Sequence, residues 1–307
     1  MLSLVTLTAL AAAAAAAAPW PVTLDREPAP APERVTLYTP DASVPFADMP
    51  ALQRAFSVTG QARHEPDLGG LFHLAADRLH LVLFDDGGAH YHDLVALASD
   101  AAIEPTDEAI LWGESGALLQ DLGLLTDGPC QLAPAHIGFA ERATLEGRKG
   151  ERDIRLTHES ATWVQVIDGL PTFGPGSETQ VVYGPDGAIA AFSHAQRPLV
   201  AQGTAAVSTP RQAIARFLRE ADETGQWNYY KAAIAEVDHV VLHGATLGYW
   251  VPGRGESDGA PYEPVYAITG AVHGTDYAGQ PTTVDLLWYE PAIRGPLAAE
   301  ALPHLSR

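Results

Sequence analysis

His90-Tyr-His-Asp93 is the stretch of this chain best suited to chemistry. On a strand alternate side chains share a face, so His90 and His92 would stand side by side. Two imidazoles so placed can share a zinc or copper ion, with Asp93, or Asp85 and Asp86 in the preceding turn, within reach. An exposed strand face with no ligand fits the same two residues, because a zinc site needs a third donor and the sequence names none at a distance. Asp238, His239 and His243 form a second group. There His239 and His243 share a face only if the strand stays regular.

The familiar nucleophile and metal motifs are missing. Gly113-Glu-Ser-Gly116 has neither the spacing nor the preceding strand of a nucleophile elbow. His64-Glu65 runs into Pro66, so it cannot open a metalloprotease helix, and no phosphate-binding loop occurs. Cys130 lies between Pro129 and Gln131, with no basic neighbour or helix start to activate its thiol. Carboxylates are abundant, but abundance does not mark a glycosidase pair. No catalytic residue, cofactor-binding residue or cofactor is therefore assigned, and a metal stays an alternative at His90 and His92.

The elements that must position these residues begin with an address. Residues 1–18 are uncharged, apolar and alanine-rich, the pattern of a secretory signal peptide, and they would touch a membrane only if left uncleaved. Residues 19–34 are rich in Pro and Ala and read as an extended linker. With 38 acidic against 18 basic residues, the net charge of −20 repels nucleic acid and anionic lipid. The single cysteine rules out an internal disulfide, and a chain of 307 residues can bury a core without one.

The spacing predicts an N-terminal α+β module over 35–150 and a second over 151–295, with a tail at 296–307. In the first, a helix follows Asp48, strands at 70–75 and 78–84 lead to a turn at Asp85-Asp-Gly-Gly88, and a partner strand holds His90. A helix opens at Thr106, with Ala109, Ile110, Ala117, Leu118 and Leu122 as its apolar stripe. Residues 129–134 read as a connection, and 141–155 as a strand turning at 147–150. In the second, strands 178–183 and 188–193 pair across Pro185-Asp-Gly187. A helix from Ser208, ended by Gly225, is expected to roof that hairpin. Strands at 237–242, 246–251, 263–269 and 283–289 complete it. The fold class predicted is α+β, tandem antiparallel sheets each covered by a helix. Trp250, Tyr262, Tyr266, Trp288 and Tyr289 would either line a groove or pack the core.

Gly169-Leu-Pro-Thr-Phe-Gly174, the Asp186-Gly187 turn, Ser208-Thr-Pro-Arg-Gln-Ala213, Leu247-Gly-Tyr249 and Pro264-Val-Tyr266 come in an order that resembles bacterial extracytoplasmic proteins with PepSY-like modules, most of all the YycH/YycI type that regulates a sensor kinase. The resemblance covers roughly residues 155–290. It implies a non-catalytic regulatory or binding module in the periplasm or outside the cell, whose partner is an extracytoplasmic protein or peptide. The alternative is a secreted hydrolase or metal-binding protein with its site near His90 and His92.

Overall fold

A computed structural model describes residues 20–41, 49–65, 70–75, 78–84, 87–125, 127–146, 151–223, 230, 233–253 and 261–293. In chain order the elements are β1 (Val22–Leu24), β2 (Arg34–Pro40), α1 (Met49–Ala55), β3 (Arg63–Glu65), β4 (Gly70–Ala75), β5 (Leu79–Phe84), β6 (Ala89–Asp93), α2 (Leu94–Leu97), α3 (Glu108–Asp121), β7 (Cys130–Glu146) and β8 (Glu151–Ile167). There follow β9 (Leu170–Phe173), β10 (Glu178–Tyr183), β11 (Ile189–His194), β12 (Leu199–Ala206), α4 (Pro210–Glu223), β13 (Glu236–Trp250), β14 (Glu263–Thr275) and β15 (Pro281–Pro291).

The predicted class needs correction. The described chain is mostly β, 52% strand against 18% helix, and most of its strands form a large mixed sheet, with β2 and β12 a separate pair, rather than tandem sheets each covered by a helix. The reason is that strands run past the points where turn residues should have ended them. Gly244, at φ 157°, opens a bulge inside β13, so the two strands expected at 237–242 and 246–251 are one. Pro134 sits at a bulge inside β7, so the expected connection at 129–134 is already strand.

Contacts divide the chain into two compact units interleaved in sequence. The first comprises residues 1–37, 202–250 and 263–307, and the second 38–201 and 251–262. The signal at 1–18, Asp48, Asp85, Asp86, the turn at 147–150, Gly225 and the tail at 296–307 lie outside the described residues.

In the second unit the strands run β3-β4-β5-β6-β11-β10-β8, every neighbour antiparallel, and β7 and β9 both pair with β8. The hairpin at 178–194 forms as its sequence predicts. Asp186 at φ 62° and Gly187 at φ 70° make the turn, and Val181 pairs with Phe192. One face carries the core: Leu81, Tyr91, Phe192 and Val181 bury themselves against Leu52 and Phe56 from the α1 side and Leu111 and Leu119 of α3. The Phe56 ring stacks on Tyr91 at 4.3 Å.

Helix α3 buries Leu111, Ser115 and Leu119, spaced by four, while Ile110 of the expected stripe is about half exposed at 52%. Asp107, not Thr106, caps it by accepting from the Ala109 N–H at 2.8 Å. Thr106 instead donates its own N–H to Glu159 at 3.0 Å. Trp163 accounts for the serine. Its indole N–H donates to Ser115 Oγ at 3.1 Å, and its ring would meet a Cβ at Gly116 at 3.6 Å, an ordinary contact.

In the first unit β1 lies parallel to β13, and β13-β14-β15 are antiparallel. Helix α4 begins at Pro210, in its first turn as predicted, but Thr209 and not Ser208 caps it, accepting from the Gln212 N–H at 3.3 Å, while Ser208 Oγ donates to the Ala292 carbonyl. The helix buries Ala213, Ile214, Phe217 and Leu218. It packs on β13, β14 and β15, not on the 178–194 hairpin it was expected to roof. The cause is the helix's own anchor: Arg216 donates to Glu290 at 2.6 Å and to the Pro291 carbonyl at 2.5 Å, both on β15.

Candidate functional site

The strand that holds His90 and His92 is central in the second unit, with β5 on one side and β11 on the other. Its alternation is regular: Ala89, Tyr91 and Asp93 are buried, His90 and His92 half-buried on the opposite face. The two rings lie 6.1 Å apart, as the spacing predicted, and His90 stands edge-on to Phe84 at 5.1 Å. His80 on β5 is the register partner of His92, which puts a third imidazole on the same face. Burial, and then the proximity of His80, lowers the His92 pKa.

Sequence reasoning missed His80, although a signal for it existed. Counting outward from a turn at 85–87 pairs 84 with 88, 82 with 90 and 80 with 92, and the last two are the pairs found. Asp93, by contrast, is no ligand. It points to the other face, takes a two-pronged contact from Arg78 at 2.6–3.2 Å, and caps α2 by accepting from the Val95 and Ala96 N–H groups. The Arg78 hydrogen bond, ahead of those two N–H groups, holds its carboxyl below the usual range. As the rings stand, no group of three His, Cys, Asp or Glu side chains among the described residues is placed to hold a metal ion.

The second histidine group is not brought together. The bulge between Leu242 and Gly244 breaks the alternation, His239 stacks on His273 at 4.6 Å, and His243 meets Asp25 at 2.8 Å. Cys130 accepts from the Gln165 amide, and burial pushes its thiol up, away from reactivity. Of the five aromatic candidates, Tyr262 and Tyr266 are core: Tyr266 donates to the Ser208 carbonyl at 2.6 Å inside the first unit. Trp250 packs on Tyr289 at 4.8 Å and Trp288 on Phe217 at 5.8 Å, so those three are also spent on packing. An open cleft beside α4 is lined by Ser208, Gln212, Arg216 and Arg219, but Arg216 is committed to Glu290.

One feature was not foreseen at all. β7 is seventeen residues long, and among the described residues it pairs only with β8. Its residues are exposed or half-buried from Gln131 to Ala143, and Phe139 is 54% exposed. Bulges after Pro134 and after Ala140 interrupt the register at both ends. Between them His136-Ile-Gly-Phe-Ala140 is a regular, uncharged run with one free edge. A Cβ at Gly138 of that run would lie 2.8 Å from Ser160 Oγ.

A comparison with protein-family models finds no family that matches this chain, and a comparison with curated proteins finds no match. Among the described residues no helix is long and apolar enough to cross a membrane.

Proposed function

We propose that the chain is an exported, non-catalytic binding protein that takes an extended segment of another extracytoplasmic protein along the free edge of β7. The observation that carries this reading is the run His136–Ala140, flanked by bulges and open on one side. Unpaired edge groups template a further strand, and natural edges are usually blunted by charge, proline or bulges. Here Pro134, Glu141 and Arg142 blunt the strand outside the run and leave it bare within. Main-chain hydrogen bonds would supply affinity, and the exposed Phe139 ring selectivity. The acidic surface favours a basic partner.

The test is site-specific photo-crosslinking in cells. A crosslinking amino acid at position 139 should give a discrete adduct that disappears when Ile137 is replaced by Lys. The same amino acid at Tyr277, 74% exposed on the first unit, should give none. No adduct from 139, or equal adducts from both positions, would count against strand capture.

A further inference from the structure

Three imidazoles in the second unit carry an inference separate from strand capture. His90 and His92 stand two positions apart on β6, so their side chains leave one face of the sheet. His80 on β5 is the register partner of His92, and partners in an antiparallel pair point the same way. The ladder puts opposite Cβ atoms about 4.5–5.5 Å apart and diagonal neighbours about 7–8 Å apart, within reach for ring side chains. On the other side of β6, His90 and His92 face Ser193 and Ala191, small residues that leave room for the rings to turn. All three histidines are half-buried: solvent reaches them, yet each ring is partly shielded.

We propose that His80, His90 and His92 together bind one zinc or copper(II) ion, leaving at least one coordination position open to solvent. Imidazole nitrogen suits these borderline ions, whereas magnesium and calcium select oxygen donors. The backbone carries this inference, and the rings must adjust to complete it. Two imidazoles on one tetrahedral zinc hold their centres about 5 Å apart, given zinc–nitrogen bonds of about 2.0–2.1 Å. His90 and His92 are at 6.1 Å, so bringing them together takes a change of about 1 Å, in which His90 gives up its edge-on contact with Phe84. Asp93 is not a donor, because it serves Arg78 and the α2 cap on the far face. A site of three neutral nitrogens also adds no negative charge of its own, so its selectivity is for soft and borderline cations rather than hard ones.

The experiment uses the full chain stripped of metal. Zinc chloride titrated calorimetrically should bind at one ion per chain. His80→Phe and His92→Phe should each weaken it by about tenfold or more, since affinity follows the number of ligands. His239→Ala, in the stacked pair of the first unit, should leave it unchanged. Copper(II) bound to the unaltered chain should show splitting from three nitrogens in its paramagnetic resonance spectrum. No binding at micromolar metal, fewer than three nitrogens, indifference to both phenylalanine variants, or loss in His239→Ala would each overturn the proposal. The nitrogen count needs no variant, so it decides the matter even if a substitution unfolds the chain.

Discussion

β7–β8 and β13–β14 are both long antiparallel pairs, yet they have opposite characters. β14 is paired on both sides, and Val265, Tyr266, Ile268 and Val272 along it are buried. Among the described residues β7 is paired on one side, and it is exposed along most of its described length. β7 is the longer, with seventeen residues against thirteen, so length does not decide which becomes interior; the second partner strand of β14 goes with its nearly continuous burial. The glycines record the same difference. A Cβ at Gly270 or Gly274 of β14 would lie 2.4 Å from the Val241 carbonyl oxygen or 2.1 Å from that of Glu236, and backbone cannot step aside. At Gly138 of β7 the obstacle is only a serine hydroxyl, which can rotate.

The largest expected effect follows from that contrast. Gly274→Ala should destabilise the first unit by about 3 kcal/mol, the upper end for overpacking, and Gly138→Ala in β7 by under about 1 kcal/mol. Equal losses in chemical denaturation would remove the distinction between an enclosed strand and an edge.

The two units also differ in their response to acid. Burial lowers the His194 pKa in the second unit to about 3 and raises that of Glu263 in the first to about 7. A depressed histidine leaves the folded state short of a proton that the unfolded chain takes up, so its contribution is present above about pH 6.5 and is lost as pH falls from there toward 3. A raised carboxyl works in reverse: its contribution is complete below about pH 4.5 and is lost as pH rises through about 7. Acidification from pH 7 to 5 should therefore weaken the second unit and strengthen the first. Each group contributes a slope of up to about 1.4 kcal/mol per pH unit. His194→Asn and Glu263→Gln should each flatten one slope and leave the other, as calorimetric melting across that range would show. Opposite signs would refute the assignment.

Smaller effects refine the picture. Tyr266→Phe removes a buried hydrogen bond of 2.6 Å to the Ser208 carbonyl and should cost about 1–2 kcal/mol. Phe139→Thr on the open strand should change stability by less than about 0.5 kcal/mol while weakening partner capture. A large stability loss there would mean that Phe139 is structural and not a contact residue.

Much of this was legible from local signals. The Asp186-Gly187 turn requires positive φ twice in a row, so it could be read without knowing its partners. Helix α4 was legible from Pro210 and the spacing of Ala213, Ile214, Phe217 and Leu218. What it packs against was not, because Arg216 finds Glu290 across a long stretch of chain that no local pattern encodes. The overall class failed for the same reason: Gly244 and Pro134 look like stops, and only the neighbouring strands turn them into bulges. At the candidate site, His90 and His92 were read from period two alone. His80 needed the register, and the free edge of β7 needed the whole strand order.

The interleaving of the two units in the chain bears on how the protein comes into being. Val22 finds its parallel neighbour only in Val240, so a ribosome delivers the first strand long before anything exists for it to join. Nearly all of the second unit has been synthesised by then, since its main segment ends at residue 201. β1 is thus among the last elements to be seated, although it precedes every other strand in the order of synthesis.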